Sequence, residues 1–239
     1  MKRDETAPSA SSDGDRRSAP VAMPRIASAE DWRTARQVLL AKEKEATRLL
    51  DRLAAERRRL PMVRIDRSYR FDGARGARSL AKLFDGRRQL VIYHFMFAPD
   101  WQTPCPGCCR RIDDVGHLAH LHARDTTFAA VASAPYERLA ALRKRKGWTV
   151  PFYSSGGSTF NPDMGVSVDG DEEFGLSVFF RDDADAVYRS YFTNGRGVEP
   201  AGFRSLLDLT PYGRQEAWEV SPAGWPQSPT HEWGSERDE

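Results

Sequence analysis

The sequence lacks both a spread of cysteines and a strong net charge. Its 239 residues include three Cys, all within positions 105–109. A disulfide-stapled secreted domain spreads an even number of Cys along its chain, so this pattern excludes that class. Lys and Arg total 36 against 34 Asp and Glu, a formal charge of +2, whereas nucleic-acid binding normally needs a strongly basic domain. We therefore expect no nucleic-acid partner.

No long apolar run is present either. The longest, 90–98, is interrupted by His94 and falls far below the roughly 20 residues of a membrane-spanning helix. Arg16 and Arg17 form a twin-Arg pair, but no hydrophobic signal core follows them. The sequence thus predicts no membrane partner and a cytoplasmic protein, in a compartment that keeps thiols reduced.

The composition divides the chain into four parts. Residues 1–27 have no aromatic side chain and are rich in Ser, Ala, Pro and charge, and 221–239 look similar. Such segments cannot offset the entropy lost on ordering, so both are predicted to be disordered tails. Between them, a long helix is expected over 28–60 and a packed domain over 61–220.

The long helix has no Gly or Pro in its interior. Ser28 can cap it, with Asp31 as a weak capping-box partner. Apolar side chains recur every seven residues, at Trp32, Leu39, Ala46, Leu53 and Leu60. At 1.5 Å per residue the helix would be about 48 Å long, which exceeds the core of a small domain. It is expected either to lie across its own domain or to form a homo-oligomer through 29–60.

Strands and helices alternate from residue 61 onward. A short hairpin is predicted over 62–66 and 69–72, and the continuous apolar run 90–97 is typical of a buried parallel strand. The elements expected after it are a helix over 106–123, a strand over 128–131, a helix over 135–146 capped by Ser133 and stopped by Gly147, a strand over 149–153, a loop over 154–175, a hairpin over 176–180 and 187–192, and a helix over about 199–208. This order predicts an α/β fold, a mixed sheet with helices on both faces.

The three cysteines fall where a core strand ends and a helix begins. The helix N-terminus favours thiolate over thiol at Cys105, and thiolate is the attacking species in disulfide exchange. Cys108, one turn later, is placed to resolve the mixed disulfide. Pro106 suits the first helical position, and Arg110 adds positive charge nearby. The sequence therefore predicts catalytic Cys105 and Cys108, unless the cysteines are merely small buried apolar residues.

A metal site is a second hypothesis for the same cluster. Copper(I) or zinc would suit a site built from Cys105, Cys108 or Cys109, completed by His94 on the preceding strand. The alternative for His94 is an ordinary hydrogen-bonded core residue. Cys109 itself could be core, a second resolving thiol or a metal ligand.

The segment before Cys105 supports a third hypothesis. It resembles the peroxiredoxin motif P-x-x-x-[TS]-x-x-C, with a Thr-to-Cys spacing that is one residue short. In a thiol peroxidase, Thr103 would hydrogen-bond the peroxide while an Arg stabilises the Cys105 thiolate. Trp101 in the same segment could shape a pocket beside the cysteine.

Several motifs together resemble an uncharacterised bacterial family of thioredoxin-like proteins, a domain of unknown function. They are the stretch 42–61, which begins KEKE and ends RRLP, YHFMFAPDW at 93–101, CPGC at 105–108, HLHARD at 120–125, GW at 147–148 and DLTPYGRQE at 208–216. They span about four-fifths of the chain, from 29 to 219. The resemblance implies a thioredoxin fold. The sequence departs from thioredoxins in having no Pro at 176–177, where they place a cis-proline.

The hypothesis that combines these observations is a thiol–disulfide oxidoreductase that cycles Cys105 and Cys108 between dithiol and disulfide. It requires no bound cofactor, but it requires a thiol or disulfide substrate and an electron donor. The remaining alternative is a non-catalytic module whose long helix recruits partners.

Overall fold

A computed structural model gives the fold of most of the chain. It describes residues 22–57, 59–122, 125–168 and 170–194, with short pieces at 217–218, 223–224 and 227–229. The predicted disordered tails lie mostly outside these residues, and the predicted last helix, 199–208, lies wholly outside them.

The described residues form six helices and ten strands. The helices are α1 (Ala29–Arg57), α2 (Leu80–Leu83), α3 (Pro106–Asp113), α4 (Ala119–His122), α5 (Tyr136–Lys146) and α6 (Phe160–Met164). The strands are β1 (Val63–Arg64), β2 (Arg70–Gly73), β3 (Gly76–Ser79), β4 (Gln89–His94), β5 (Thr126–Ala132), β6 (Phe152–Ser154), β7 (Ser167–Val168), β8 (Asp171–Glu172), β9 (Gly175–Arg181) and β10 (Val187–Thr193). Eight strands form one sheet in the order β1-β10-β9-β4-β5-β6-β2-β3, and β7 and β8 form a separate ribbon.

Strand β4 lies in the middle of the sheet and leads into the cysteine motif. It runs parallel to β5 and antiparallel to β9, which forms a hairpin with β10. A strand covered on both faces needs apolar residues on both, and the run 90–97 supplies them. Helices α3 and α5 pack on one face of this mixed sheet, and α2 and α6 pack on the other. The predicted α/β, thioredoxin-like fold with a long N-terminal helix is confirmed.

The two faces of β4 belong to two separate apolar cores. Tyr93 belongs to the core that contains Cys108 and Cys109. Ile92 belongs to the core on the other face. Because successive side chains of a strand point to opposite faces, His94 lies on the Ile92 side, away from the cysteines.

The helix predicted over 106–123 is interrupted. Helix α3 ends at Asp113 and α4 begins only at Ala119. The connecting residues 114–118 include Gly116, which loses more backbone entropy in a helix than other residues do. The prediction of one continuous helix here is wrong.

Strand pairing near the domain's start also differs from the prediction. The predicted hairpin joined 62–66 to 69–72, but β1 pairs with β10 and β2 pairs with β3. The turn between β2 and β3 ends at Gly76, whose φ of 81° favours glycine. The segment 154–175, predicted as a loop, contains α6 and the β7–β8 ribbon.

Helix α5 begins without a side-chain cap and ends at a glycine in the left-handed conformation. Its N-cap residue is Pro135, with no side-chain cap, so the predicted cap at Ser133 is wrong. The Ser133 hydroxyl instead donates to Glu172 and to the carbonyl of Phe97. The predicted stop at Gly147 is confirmed, since this residue is left-handed with a φ of 67°.

Helix α1 begins with the predicted cap. The Ser28 hydroxyl accepts a hydrogen bond from the Asp31 N–H at 3.1 Å and donates one to its carboxylate at 2.8 Å. Several large apolar side chains of α1 are exposed to solvent: Trp32, Val38, Leu39, Leu49, Leu50 and Leu53. No helix in the described part of the chain is long and apolar enough to cross a membrane.

Candidate active site

Cys105 and Cys108 lie at the start of α3, as the sequence predicts. Cys105 is the N-cap residue and Pro106 occupies the first helical position. The Cys105 N–H donates to the carbonyl of Met96 at 3.1 Å, which ties the start of α3 to the residues that follow β4. All three cysteines are free thiols, with Cys105 half-buried and Cys108 only 2% exposed. Cys105 is therefore the more accessible of the two sulfurs at the start of α3.

The Cys108 sulfur is surrounded by hydrogen-bonding groups. Tyr93 Oη donates to it across 3.2 Å, and the Met96 N–H donates to it across 3.4 Å. The pKa of Cys108 is raised well above its usual value, first by a hydrogen bond to Cys105 and then by burial. The raised pKa favours the neutral thiol form of Cys108.

Their surroundings give the two thiols different chemistry. Cys105 lies at the N-terminal end of α3, which favours negative charge on its sulfur. Cys108 is buried, whereas Cys105 is half-buried. An accessible thiol with a buried thiol one turn away is an arrangement that can carry out thiol–disulfide exchange.

Tyr93 is a site residue that the sequence interpretation did not identify. Its pKa is raised well above 10, first by burial and then by the neighbouring Cys108, so its hydroxyl remains a donor. It was the only hydroxyl in the apolar run of β4. The alternation of side chains along β4 could have identified it, because Tyr93 lies on the strand face that α3 covers.

Arg138 of α5 hydrogen-bonds the segment that precedes Cys105. The Arg138 guanidinium donates to three carbonyls of this segment, those of Pro99, Trp101 and Gln102. It also stacks over the Phe97 ring, with its Cζ 4.4 Å from the ring centroid. Sequence interpretation missed Arg138, because the residues it joins are about 37 positions apart.

The accessory residues predicted from the sequence have different surroundings. Trp101 is half-buried and packs against the same core as Cys105. Thr103 is exposed and makes no hydrogen bond to any residue that the structure describes. Arg110 and Cys109 are both buried, and Cys109 is part of the apolar core on this face of the sheet.

The predicted metal site is not assembled. His94 is 1% exposed on the opposite face of the sheet, where its Nε2 lies 2.7 Å from Ser177 Oγ and its ring stacks on Phe160. Among the described residues, no group of three or more His, Cys, Asp or Glu is arranged to hold a metal ion. The predicted site with His94 as a ligand is not formed, because successive side chains of β4 point to opposite faces and His94 therefore lies away from the thiols. The alternative interpretation of His94, a hydrogen-bonded core residue, matches its position.

A buried polar cluster lies beyond the ends of β5 and β6. Glu172 accepts hydrogen bonds from Ser133 and Asn161, and Ser155 donates to Asn161 at 2.8 Å. Burial, more than any other cause, raises the pKa of Glu172. The cluster joins Glu172 of the β7–β8 ribbon to Ser133, which follows β5. The Ser133 hydroxyl also contacts the carbonyl of Phe97, in the segment before Cys105.

Comparisons with solved structures give likenesses of fold at low identity. Peroxidoxin BcpB from Mycobacterium tuberculosis is 18% identical, with a TM-score of 0.42 over 57% of this chain and 85% of that one. The Xanthomonas campestris bacterioferritin comigratory protein is 18% identical, with a TM-score of 0.35 over 53% and 82%. An uncharacterised thioredoxin-like protein from Porphyromonas gingivalis is 17% identical, with a TM-score of 0.34 over 57% and 80%.

A search of curated protein sequences gave no match. The model of one protein family matches residues 21–239, nearly the whole chain. The family is described as bacterial proteins of unknown function, DUF899. Because this match covers nearly the whole chain, the chain belongs to the DUF899 family.

Proposed function

We propose that this protein is a thiol–disulfide oxidoreductase in which Cys105 is the nucleophile and Cys108 the resolving thiol. The observation that carries the proposal is the placement of a half-buried Cys105 and a buried Cys108 one turn apart at the start of α3. This spacing supports disulfide formation between the two sulfurs, of which Cys105 is the more accessible.

The reductive half-reaction transfers two electrons. The Cys105 thiolate attacks one sulfur of a substrate disulfide, forms a mixed disulfide and releases the first substrate thiolate. Cys108 then loses its proton and attacks the Cys105 sulfur, which releases the second substrate thiolate and leaves a Cys105–Cys108 disulfide. A dithiol reductase or a small thiol returns the pair to the dithiol, so no bound cofactor is required.

Tyr93 and the Met96 N–H assist the second step. Both donate to the Cys108 sulfur, and both hydrogen bonds strengthen as that sulfur becomes anionic. Tyr93 is not the base, because its raised pKa keeps it protonated. The departing substrate thiolate is the species that accepts the Cys108 proton.

The thiol peroxidase alternative uses the same two sulfurs but needs a group that binds the peroxide. Thr103, the residue predicted for that role, is exposed and has no hydrogen-bond partner among the described residues. Disulfide exchange is therefore the activity that the site supports better. The reducing cytoplasm is the compartment we propose, since it supplies the electron donor.

The experiment compares three single-cysteine variants with glutathione disulfide as the probe substrate. Cys105→Ser should lose at least 100-fold in the rate of disulfide reduction, because it lacks the attacking sulfur. Cys108→Ser should accumulate a mixed disulfide at Cys105, measured as the added mass of one glutathione. Cys109→Ser is the matched control and should keep the wild-type rate.

Two results would overturn the proposal. One is a Cys105→Ser variant that reduces disulfides as fast as the wild type. The other is a wild-type protein in which Cys105 and Cys108 never form a disulfide under mild oxidation, which would favour the non-catalytic module.

We also propose that α1 is a surface for self-association. Trp32, Val38 and Leu50 on this helix are each about 60% exposed, and burying such side chains is favourable. A Trp32→Glu, Leu50→Glu double variant should sediment as a smaller species than the wild type. Lys44→Glu, on the same helix, is the control and should sediment as the wild type does. A wild type that sediments as a monomer would contradict this proposal.

A further inference from the structure

A cavity of about 260 Å³ lies under the C-terminal half of α3. Its walls are almost wholly apolar, formed by Val91, Tyr93, Val115, Leu121, Phe128 and Leu176. These side chains come from three adjacent strands of the sheet and from the region where α3 gives way to α4. The reaction proposed above takes place at the opposite end of α3 and makes no use of this space.

One cationic side chain lines the cavity. Arg111 is half-buried and has no hydrogen bond or ion pair with any described residue. Asp114 lines the same cavity, but it is already engaged in a contact of its own. A guanidinium held against apolar walls loses hydration, which is costly unless an anion pairs with it. Arg111 therefore has the position of a group that receives a negatively charged ligand.

From this cavity we infer a binding site for a small carboxylate with an apolar body. One water molecule takes about 30 Å³ in the liquid, so the cavity holds roughly nine non-hydrogen atoms. A carboxylate can accept two parallel N–H bonds from Arg111, and an aliphatic or aromatic body fills the rest. Heptanoate, with nine non-hydrogen atoms, has the required size and charge.

The ligand would also contact Tyr93, which donates a hydrogen bond to one of the thiols. The Tyr93 ring lines the cavity while its hydroxyl donates to the Cys108 sulfur at 3.2 Å. The apolar part of the ligand, packed against the Tyr93 ring, restricts the motion of that ring. It therefore keeps the Tyr93 hydroxyl hydrogen-bonded to the Cys108 sulfur. This coupling rests on the proposed oxidoreductase function, whereas the binding itself does not.

The test is calorimetric titration of the reduced full-length protein with heptanoate and, separately, with 1-heptanol. Arg111→Gln should weaken heptanoate binding about tenfold and leave heptanol binding unchanged, because only the carboxylate uses the guanidinium. Arg70→Gln, an exposed change on β2 near the far edge of the sheet, is the control and should leave both affinities unchanged. Leu176→Trp should abolish binding of both molecules by filling the cavity.

Folding of each variant is checked by its thermal transition, and Val115→Phe replaces Leu176→Trp if that variant does not fold. The inference is overturned if the wild type binds neither molecule at millimolar concentration. It is also overturned if Arg111→Gln binds heptanoate as tightly as the wild type does, or if the filled cavity still binds heptanol. Cys105→Ser should bind heptanoate as the wild type does. A failure of the proposed redox function therefore remains distinguishable from a failure of the proposed carboxylate site.

Discussion

The hydroxyl of Tyr93 lies 3.2 Å from the sulfur of Cys108, and it donates a hydrogen bond to that sulfur from inside the protein. Tyr93 is on β4 and Cys108 is on α3, so the contact fixes the helix relative to the strand that precedes it. It also gives the less accessible of the two reactive thiols a donor that cannot exchange with solvent.

Removing this hydroxyl should slow the second chemical step selectively. Tyr93→Phe should lower the rate at which Cys108 resolves a mixed disulfide about tenfold, the equivalent of one hydrogen bond to a developing anion. The rate of Cys105 alkylation by iodoacetamide should change much less. Stopped-flow release of a chromogenic thiolate measures resolution. Tyr153→Phe, on β6, is the control, and equal effects of the two variants would rule out a specific role for Tyr93.

Arg138 should control the order of the segment before Cys105. Arg138→Gln removes charged hydrogen bonds to three carbonyls, so we expect a loss of about 2 kcal/mol in the free energy of unfolding. Hydrogen exchange in 98–104 should also become faster.

Arg143, on the same helix, provides a control that distinguishes an effect on the segment 98–104 from a general loss of stability. Arg143 donates to the carbonyls of Trp148 and Thr149 beyond the end of α5. Arg143→Gln should lower the stability too, but it should leave exchange in 98–104 unchanged. Loss of protection there in both variants would contradict the assignment of Arg138 to this segment.

Acid should destabilise the fold through His94. Burial lowers the pKa of His94 to about 3. In the unfolded chain the value is about 6.5, so between these values the unfolded state binds more protons and stability falls as the pH falls. The expected loss is about 2 kcal/mol between pH 7 and pH 5, measured by urea unfolding.

The matching variant is His94→Gln, which has no titrating side chain. It should be less stable than the wild type at pH 7, but the part of the pH dependence due to His94 should disappear. An unchanged slope between pH 7 and pH 5 would show that other groups cause the acid sensitivity.

Cys109 should contribute to packing and not to catalysis. It is 5% exposed within the apolar core beneath α3. Cys109→Ala should therefore cost about 1 kcal/mol in the free energy of unfolding, the effect of removing one buried heavy atom and leaving a small void. Disulfide reduction by this variant should stay within twofold of the wild type, and a large loss of activity would reopen a role as a second resolving thiol.

Local sequence patterns predicted the elements around the active site well. The uninterrupted apolar run at 90–97 and the Pro after Cys105 were sufficient to predict a buried strand followed by a helix N-terminus. The hairpin of β9 and β10 was likewise predictable, because turn residues at 182–185 separate two apolar runs.

Contacts between distant positions were not predictable in this way. Arg138 and Trp101 are joined only because α5 packs against the segment after β4, and no local pattern reports that packing. The position of His94, the fourth residue of the predicted metal site, differs for a simpler reason. His94 is next to Tyr93 in the chain, and adjacent residues of a strand lie on opposite faces, so only one of them can reach the thiols.

The burial of Cys108 and Cys109 has a practical consequence for measurements in cell extracts. With Cys105 the one half-buried thiol among the three cysteines, a bulky alkylating reagent should attach to the native dithiol form once. The disulfide form should take no label, because its only open sulfur is already bonded. The mass of the labelled native protein would then report the fraction of molecules carrying reducing equivalents, without unfolding or a coupled assay.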